Sequence, residues 1–198
     1  MATTSPATPL GTPPPTFRLP DPAGRTYSLA EVSAGARGTV VVFACNHCPY
    51  VRHVAPRLGM LAEEWAAQGV ATVAINSNDA DTHPDDSPAR MAEQGPAWGW
   101  TFPYLVDAGQ EVARAYGAVC TPDPFVFDAD LRLVYRGQFD ETRPNSGKAA
   151  TGRDLRAAAD ALLAGRPPVE PQIASIGCNI KLKPGNEPEW FGAGARLG

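Results

Sequence analysis

A Cys-x-x-Cys motif lies between a predicted strand and a predicted helix, and this placement constrains the fold more than any other feature. The motif is Cys45-Asn46-His47-Cys48. The segment before it, 39–43, is β-branched and continuously apolar, which predicts a strand buried on both faces. After it, apolar residues from Val51 to Trp65 recur at spacings of three and four, as on one face of an amphipathic helix. The sequence therefore predicts a dithiol at a strand-to-helix junction.

The rest of the chain alternates strands with helices. Two short strands around a turn at 21–24 and a helix opening at Ser28 come first, because Ser28 and Glu31 have the spacing of a capping box. The later predicted elements are a strand over 70–75, a helix over 87–94, a strand over 104–106, a helix over 110–116, a hairpin over 125–135 and a helix over 151–163. This order predicts an α/β fold with a central mixed sheet flanked by helices on both faces, with an N-terminal β-hairpin extension.

Proline and glycine are dense at the two ends of the chain. The length of 198 residues fits one domain with extensions. We expect a flexible N-terminal arm at 1–15, one domain at 16–165 and a Pro/Gly-rich, irregular C-terminal tail at 166–198 that wraps the surface or extends from it.

The amino-acid composition limits the classes of partner that we expect for this protein. Hydrophobic residues make up 43% of the chain, the net charge is −4, and no basic run or long apolar stretch occurs. We therefore expect neither nucleic acid nor a membrane as partner. The first residues lack the cationic and apolar parts of a secretory signal, which predicts a cytoplasmic protein. Structural disulfides are rare in the cytoplasm, so the four cysteines indicate redox or metal chemistry.

The position of the motif predicts how its residues react. Unpaired backbone N–H groups and the helix dipole at a helix start favour a thiolate, and we assign this position to Cys45. Cys48, one turn later, is then placed to displace a mixed disulfide. An imidazole at His47 can donate to the thiolate and stabilise the reduced form. We expect His47 to make the dithiol more oxidising, an effect that the equilibrium constant of His47→Ala against glutathione would measure.

Several other readings stay open at the level of sequence. The motif could be half of a zinc site completed by Cys178 or His53, although its placement and the lack of a second Cys-x-x-Cys favour redox chemistry. Otherwise His53 is a solvated helix residue, and His83 belongs to a polar surface turn at 78–86 that is a candidate for cation binding but lacks EF-hand spacing. Pro122, just before an apolar strand, fits a cis peptide or an ordinary trans loop.

The strand–CxxC–helix unit, followed by Thr121-Pro122 and a hairpin, resembles the thioredoxin superfamily. The N-terminal hairpin, the longer loop after Ile75 and the segments 43–51, 176–181 and 183–188 are similar to its peroxiredoxin-like (AhpC/TSA, redoxin), CxxC-containing branch over about residues 15–190. The resemblance implies a thioredoxin-like fold.

The resemblance also implies residue roles. Cys45 matches the exposed attacking cysteine and Cys48 the resolving one. Pro122 matches the cis-proline that faces the dithiol, and Thr121 the residue whose backbone pairs with a bound substrate strand.

The chain also departs from its relatives. The peroxiredoxin motif Pro-x-x-x-Thr-x-x-Cys has no match in either cysteine frame, and the buried aspartate of thioredoxin falls on Thr39. The proton acceptor for the resolving cysteine is therefore unassigned, with Asn78 and Asp79 as candidates. Cys120 is interpreted by default as a buried small residue, with a spare thiol or a link to Cys178 as alternatives.

The sequence thus predicts an enzyme, a thiol-disulfide oxidoreductase, with a part in antioxidant defence or thiol-redox homeostasis. Expected partners are protein or low-molecular-weight disulfides and a dithiol or glutathione reductant, with no bound cofactor. The alternatives are a peroxidase of low efficiency and a non-catalytic metal-binding or redox-sensing module.

Overall fold

The computed structural model describes residues 2–187. The end of the predicted tail, 188–198, lies outside the described residues. The N-terminal half contains β1 (Ala2–Thr4), β2 (Arg18–Pro20), β3 (Thr26–Ser28), α1 (Leu29–Ser33), β4 (Gly38–Phe43), α2 (Pro49–Ala66), β5 (Val70–Asn76) and a 3₁₀ turn (Pro84–Asp86). The C-terminal half contains α3 (Pro88–Ala97), β6 (Tyr104–Val106), α4 (Glu111–Tyr116), β7 (Cys120–Thr121), β8 (Asp123–Asp128), β9 (Leu133–Arg136), α5 (Arg153–Leu163) and β10 (Ile176–Asn179).

The centre is a five-stranded mixed sheet in the order β6-β5-β4-β8-β9. β4 pairs parallel with β5 and antiparallel with β8, and β8 forms the predicted hairpin with β9. β2 and β3 form the separate N-terminal hairpin. The predicted α/β fold with a central mixed sheet is confirmed.

Alternate residues of β4 point into two cores on opposite faces of the sheet, as strand geometry requires. Val40 and Val42 pack with the apolar faces of α2 and α5. Val41 and Phe43 pack in the other core with residues of α4. The prediction that this strand is buried on both faces is correct, and both cores fix the position of the loop that follows it.

The two ends of the chain add a second sheet beside the first. β10 pairs antiparallel with β1 on one edge and with β7 on the other. The structure therefore differs from the expected flexible arm, because residues 2–4 form a strand, and the tail wraps the surface up to residue 187. The backbone N–H and C=O groups of β10 bond to both neighbours, which explains this order despite the low periodicity of the tail. The division into arm, domain and tail stays a prediction.

None of the described helices is both long enough and apolar enough to cross a membrane.

Candidate active site

The Cys-x-x-Cys motif follows β4 directly and ends where α2 begins. Cys48 occupies the N-cap position of α2, and Pro49 is the first helical residue, a position where the missing N–H of proline costs nothing. The sequence prediction placed Cys45 at the helix start. The structure corrects this assignment, because Asn46 and His47 lie outside the helix and Cys48 is its N-cap residue.

Both sulfurs of the motif are buried and contact the same residue of the next segment. Cys45 is 1% exposed and Cys48 is 0% exposed. Cys45 Sγ lies 3.3 Å from Thr121 Oγ1, and Cys48 Sγ lies 3.2 Å from the Thr121 carbonyl oxygen, to which the protonated form of Cys48 donates. The structure thus brings Cys45, Cys48 and Thr121 together. It also differs from the expectation of an exposed attacking cysteine, because the motif lies beneath neighbouring segments.

The surroundings of the two thiols shift their pKa values in opposite directions. A hydrogen bond from Cys45 is the main cause that lowers the pKa of Cys48 to about 5, and contacts with Cys178, Thr121 and the Val51 backbone act in the same direction against the effect of burial. Burial raises the pKa of the Cys45 thiol well above its ordinary value, helped by Cys48 and by the negative charge of Asp86. The pKa shifts therefore have opposite directions at the two sulfurs, lowered at Cys48 and raised at Cys45.

Asp86 is the buried carboxylate next to the motif. Its Oδ1 accepts the Asn46 backbone N–H at 2.6 Å, and its Oδ2 lies 2.5 Å from His47 Nδ1 and accepts from Asn78 at 2.7 Å. Burial acts to raise the pKa of Asp86, but the hydrogen bonds from His47 and Asn78 outweigh it and the pKa is lowered. Asp86 is ionised and holds both the loop and the histidine in place.

His47 makes a different contact from the one predicted. Its ring bonds to Asp86 and stacks on His83, with ring centroids 5.0 Å apart. No hydrogen bond joins this ring to either sulfur in residues 2–187, because Asp86 offers a charged acceptor that a thiol cannot match. The effect of His47 on the redox equilibrium stays a prediction, acting through Asp86.

Sequence reasoning placed Asp86 in a surface turn, together with the candidates Asn78 and Asp79. Asn78 reaches the site only through its bond to Asp86, and Asp79 bonds within its own loop to Thr82. A signal was present in the sequence. The loop after β5 follows a strand parallel to β4, and carboxyl ends of parallel neighbours lie at the same edge of a sheet, so this loop must approach the motif.

The Thr121–Pro122 peptide bond is cis, as the resemblance implied. The backbone edge at Thr121 is occupied by the chain itself, because Thr121 pairs with Cys178 of β10. A substrate strand cannot use this edge while β10 is in place, which corrects the role predicted for Thr121. The substrate-contacting role of Pro122 stays a prediction.

The other two cysteines lie on either side of this strand pair. Cys120 is 0% exposed and stands opposite Asn179, not opposite Cys178. Side chains alternate along a strand, so Cys120 and Thr121 point to opposite faces, and the register does not favour a Cys120–Cys178 link. Cys120 is the buried small residue of the default interpretation. Cys178 is half-buried and packs against the core that contains Cys48.

A groove opens beside Pro122. Its lining includes Tyr50, His53, Pro122, Thr142 and Ile176. His53 is partly buried there and lies 2.8 Å from Thr142 Oγ1, so it is not a free solvated residue, and the candidate metal cluster among residues 2–187 does not include it. The groove leads from the surface toward the cis-proline.

A buried ion pair that sequence reasoning missed fixes the strand after the cis-proline. Arg136 donates to Asp123 Oδ2 at 2.8 Å, and the two side chains are 3% and 0% exposed. Burial raises the pKa of Asp123 to about 6, although Arg136 acts against this shift. Arg136 also donates to the carbonyl of Gly117 and stacks over Phe125. The pair ties β8 to β9 at the position next to Pro122.

One cluster could hold a metal ion. Donor atoms of Cys45, His47 and Asp86 all lie within 4.8 Å of one another. The set combines a soft sulfur, an imidazole and a carboxylate, which suits zinc or copper better than calcium. Both carboxylate oxygens of Asp86 already accept hydrogen bonds, so a metal would have to displace at least one of them.

The lowered pKa of Cys48 leads to a testable pH dependence. We expect the ultraviolet absorbance of one thiolate to appear as the reduced protein is titrated upward, with a midpoint near pH 5. Because the pKa is lowered, the thiolate is present above this midpoint and is lost as pH falls through it. Cys48→Ser should lack this step, whereas Cys120→Ala should keep it. A first midpoint near that of free cysteine would contradict the assignment.

Comparison with protein families gives one clear match. The model of the AhpC/TSA family matches residues 10–136. Among curated proteins, thiol-disulfide oxidoreductase ResA of Halalkalibacterium halodurans is 29% identical over 60% of this chain. The matched region spans 62% of the length of that relative.

Solved structures agree with the described fold. A hypothetical protein from Sinorhizobium meliloti has a TM-score of 0.90 at 48% identity, and the match covers 92% of this chain and 100% of that one. An uncharacterized conserved protein from Geobacillus kaustophilus has a TM-score of 0.89 at 51% identity, over 93% and 97% of the two chains. A thioredoxin family thiol:disulfide interchange protein from Chlorobium tepidum has a TM-score of 0.60 at 20% identity, over 79% and 99%. The fold is thioredoxin-like, as predicted.

Proposed function

Because the chain belongs to the AhpC/TSA family, we propose that it is a thiol-disulfide oxidoreductase whose reacting groups are Cys48 and Cys45. One observation carries the proposal. The Cys48 sulfur sits at the start of a helix, shares its contact residue Thr121 with Cys45 and has a pKa lowered to about 5. Such a sulfur is ionised at neutral pH and is both a nucleophile and a good leaving group.

The reaction proceeds in two exchanges. The Cys48 thiolate attacks one sulfur of a substrate disulfide, a mixed disulfide forms, and the first substrate thiolate leaves. Cys45 then loses its proton and attacks the Cys48 sulfur, and the second substrate thiolate leaves. The substrate gains two electrons and the Cys45–Cys48 disulfide forms. This order reverses the roles that the resemblance implied, and the lowered pKa of Cys48 supports it.

Asp86 and His47 are positioning residues for the second exchange. Asp86 raises the pKa of Cys45, which keeps that thiol protonated while Cys48 is ionised. Once Cys48 is in a mixed disulfide, its charge no longer opposes the ionisation of Cys45. The His47–Asp86 pair lies within 4.8 Å of the Cys45 sulfur and is placed to take the proton.

The partners follow from this chemistry. We propose protein or low-molecular-weight disulfides as substrates, a dithiol protein or glutathione as reductant, a cytoplasmic location and a part in antioxidant defence. The ResA relative, named as a thiol-disulfide oxidoreductase, supports the reaction class.

The proposal is tested by following oxidation of the reduced protein with a small aromatic disulfide. We expect the loss of two thiols per chain, release of two equivalents of aromatic thiol and a Cys45–Cys48 peptide in the mass spectrum. The control is the Cys45→Ser/Cys48→Ser variant, which should release no more thiol than the uncatalysed reaction. Release from this variant at the wild-type rate would refute the proposal.

A metal-binding module is the second candidate, and the Cys45, His47 and Asp86 cluster is the observation that favours it. Protein purified without chelator and reduced would then hold about one zinc or copper ion per chain, lost in Cys45→Ser. Metal-free protein that fails to take up added zinc at micromolar concentration would exclude this candidate.

A peroxidase of low efficiency uses the same cysteines and stays a prediction. It is favoured by one contact, since the Thr121 hydroxyl lies 3.3 Å from Cys45 Sγ and supplies a polar group that the sequence motif lacks. Peroxide consumption well above that of free cysteine, lost in Thr121→Val, would support it.

A further inference from the structure

The two sulfurs of the dithiol in the proposed function are buried beneath the protein surface. Cys45 and Cys48 are 1% and 0% exposed, so the two sulfurs offer almost no surface to an external thiol or disulfide. Thiol-disulfide exchange requires a near-linear approach of the attacking sulfur to the sulfur that it attacks, and its rate depends on access. The first exchange with a substrate disulfide therefore needs a local opening of the site. A cysteine nearer the surface would let an external thiol reduce the oxidised site without that opening.

Cys178 lies between the buried pair and the solvent. It belongs to β10, where the antiparallel register places it opposite Thr121, the residue that both sulfurs of the motif contact. Cys178 packs against the core that contains Cys45 and Cys48, and the neighbouring Cys48 contributes to the raised pKa of the Cys178 thiol. Unlike the other two, Cys178 is half-buried.

The strand that carries Cys178 is held tightly against the cis-proline. A Cβ atom on Gly177 would lie 2.0 Å from the Thr121 carbonyl oxygen, so only glycine fits there. β10 is bonded on its other edge to β1, and Ile180 N–H donates to the Val119 carbonyl. Cys178 is therefore fixed next to Cys48 by backbone pairing on both sides, not by a mobile tail.

We propose that Cys178 is a third redox-active cysteine, which forms a disulfide with Cys48 and brings the oxidised site within reach of an external thiol. This inference rests on the proposed function, because the substrate disulfide first oxidises Cys45 and Cys48. The resemblance implied that a bound substrate strand pairs with Thr121. In this structure the chain's own β10 pairs with Thr121 instead and places Cys178 opposite it.

Each step balances. In the oxidised protein, Cys178 gives its proton to solvent and attacks the Cys48 sulfur. The Cys45–Cys48 bond breaks, and Cys45 leaves and is protonated. An external thiolate then attacks the Cys178 sulfur, and Cys48 leaves as a thiolate. A second external thiol attacks the external sulfur of the mixed disulfide and releases Cys178. Two external thiols are oxidised to one disulfide, and the site is fully reduced.

The charges fit this sequence of events. In the reduced site, burial raises the pKa of Cys178 to about 11, and the hydrogen bond and negative charge of Cys48 contribute. Both contributions from Cys48 vanish when Cys48 is in a disulfide, so Cys178 ionises more readily in the oxidised site, where it must attack. In the next step Cys48 is the better leaving group of the two, because its pKa is the lower.

The test uses the full chain with Cys45→Ser, which leaves Cys48 and Cys178 as the only neighbouring pair. After oxidation with a small aromatic disulfide, we expect this variant to lose two thiols per chain and to yield a Cys48–Cys178 peptide. The matched control Cys45→Ser/Cys178→Ser should stop at a mixed disulfide on Cys48. A stable mixed disulfide in both variants, with no Cys48–Cys178 peptide, would overturn the inference.

A second experiment measures the rate of reduction in variants that keep both Cys45 and Cys48. Reduction of the oxidised protein by glutathione should slow at least tenfold in Cys178→Ser and stay unchanged in Cys120→Ala. Gly177→Ala should slow it as well, because the added methyl group displaces β10. An unchanged rate in Cys178→Ser would overturn the inference, while formation of Cys45–Cys48 in the same sample would leave the proposed function intact.

Discussion

Replacing Cys48 by serine is expected to lower the rate of disulfide reduction by about 1000-fold or more, to the uncatalysed level. A serine hydroxyl is not ionised at neutral pH and is a poor nucleophile toward sulfur. Cys48 also takes part in both exchanges of the proposed reaction, so no other cysteine replaces it. The measurement is the initial rate of reduction of a small aromatic disulfide under a constant supply of reductant.

The matched variant is Cys45→Ser, which keeps Cys48 at the helix start and puts a hydroxyl, also a hydrogen-bond donor, in place of the Cys45 thiol. We expect this variant to retain the first exchange, with a rapid release of one equivalent of aromatic thiol. A second equivalent follows as the Cys48–Cys178 disulfide forms. Loss of that burst in Cys45→Ser and its retention in Cys48→Ser would show that the order of attack implied by the resemblance is correct and that ours is reversed.

Replacing Arg136 by methionine is expected to destabilise the fold by about 3–5 kcal/mol at pH 7, the usual cost of removing one partner from a buried ion pair. The Asp123 carboxylate, 0% exposed, would then be buried without a counter-charge. The pKa of Asp123 is already raised to about 6 by burial, and without Arg136 it would rise further. Chemical denaturation followed by circular dichroism measures the loss.

The pH dependence of the free energy of unfolding distinguishes the loss of the Arg136 charge from the loss of its packing. A group whose pKa is raised in the folded state stabilises the fold at pH values below its unfolded-state pKa. This contribution is lost as pH rises through the folded-state pKa. The Arg136→Met variant should therefore be closest to wild type at pH 4–5 and weakest above pH 7. Arg136→Met/Asp123→Asn should recover much of the loss at pH 7. An equal deficit at all pH values would contradict the charge argument.

Much of the fold could be predicted from local sequence patterns. The apolar run of β4, the stripe of α2 and the hairpin of β8 and β9 each carry a periodicity that depends only on which faces are buried. The capping box at Ser28 is present in the structure because its bonds span three residues. The strands β1 and β10 carried no such signal, since they are short and owe their order to pairing between residues far apart in the chain.

The sequence alone determined which chemistry we propose for this protein, because a Cys-x-x-Cys between a buried strand and an amphipathic helix leaves few other uses for two sulfurs. Only the tertiary structure decided how the two sulfurs differ in pKa. That difference depends on burial, on the charge of Asp86 from the loop after β5, and on Cys178 from the far end of the chain. Electrostatic interactions act through space over a few ångströms, and distances between residues 40 to 130 positions apart are set by folding, not by spacing.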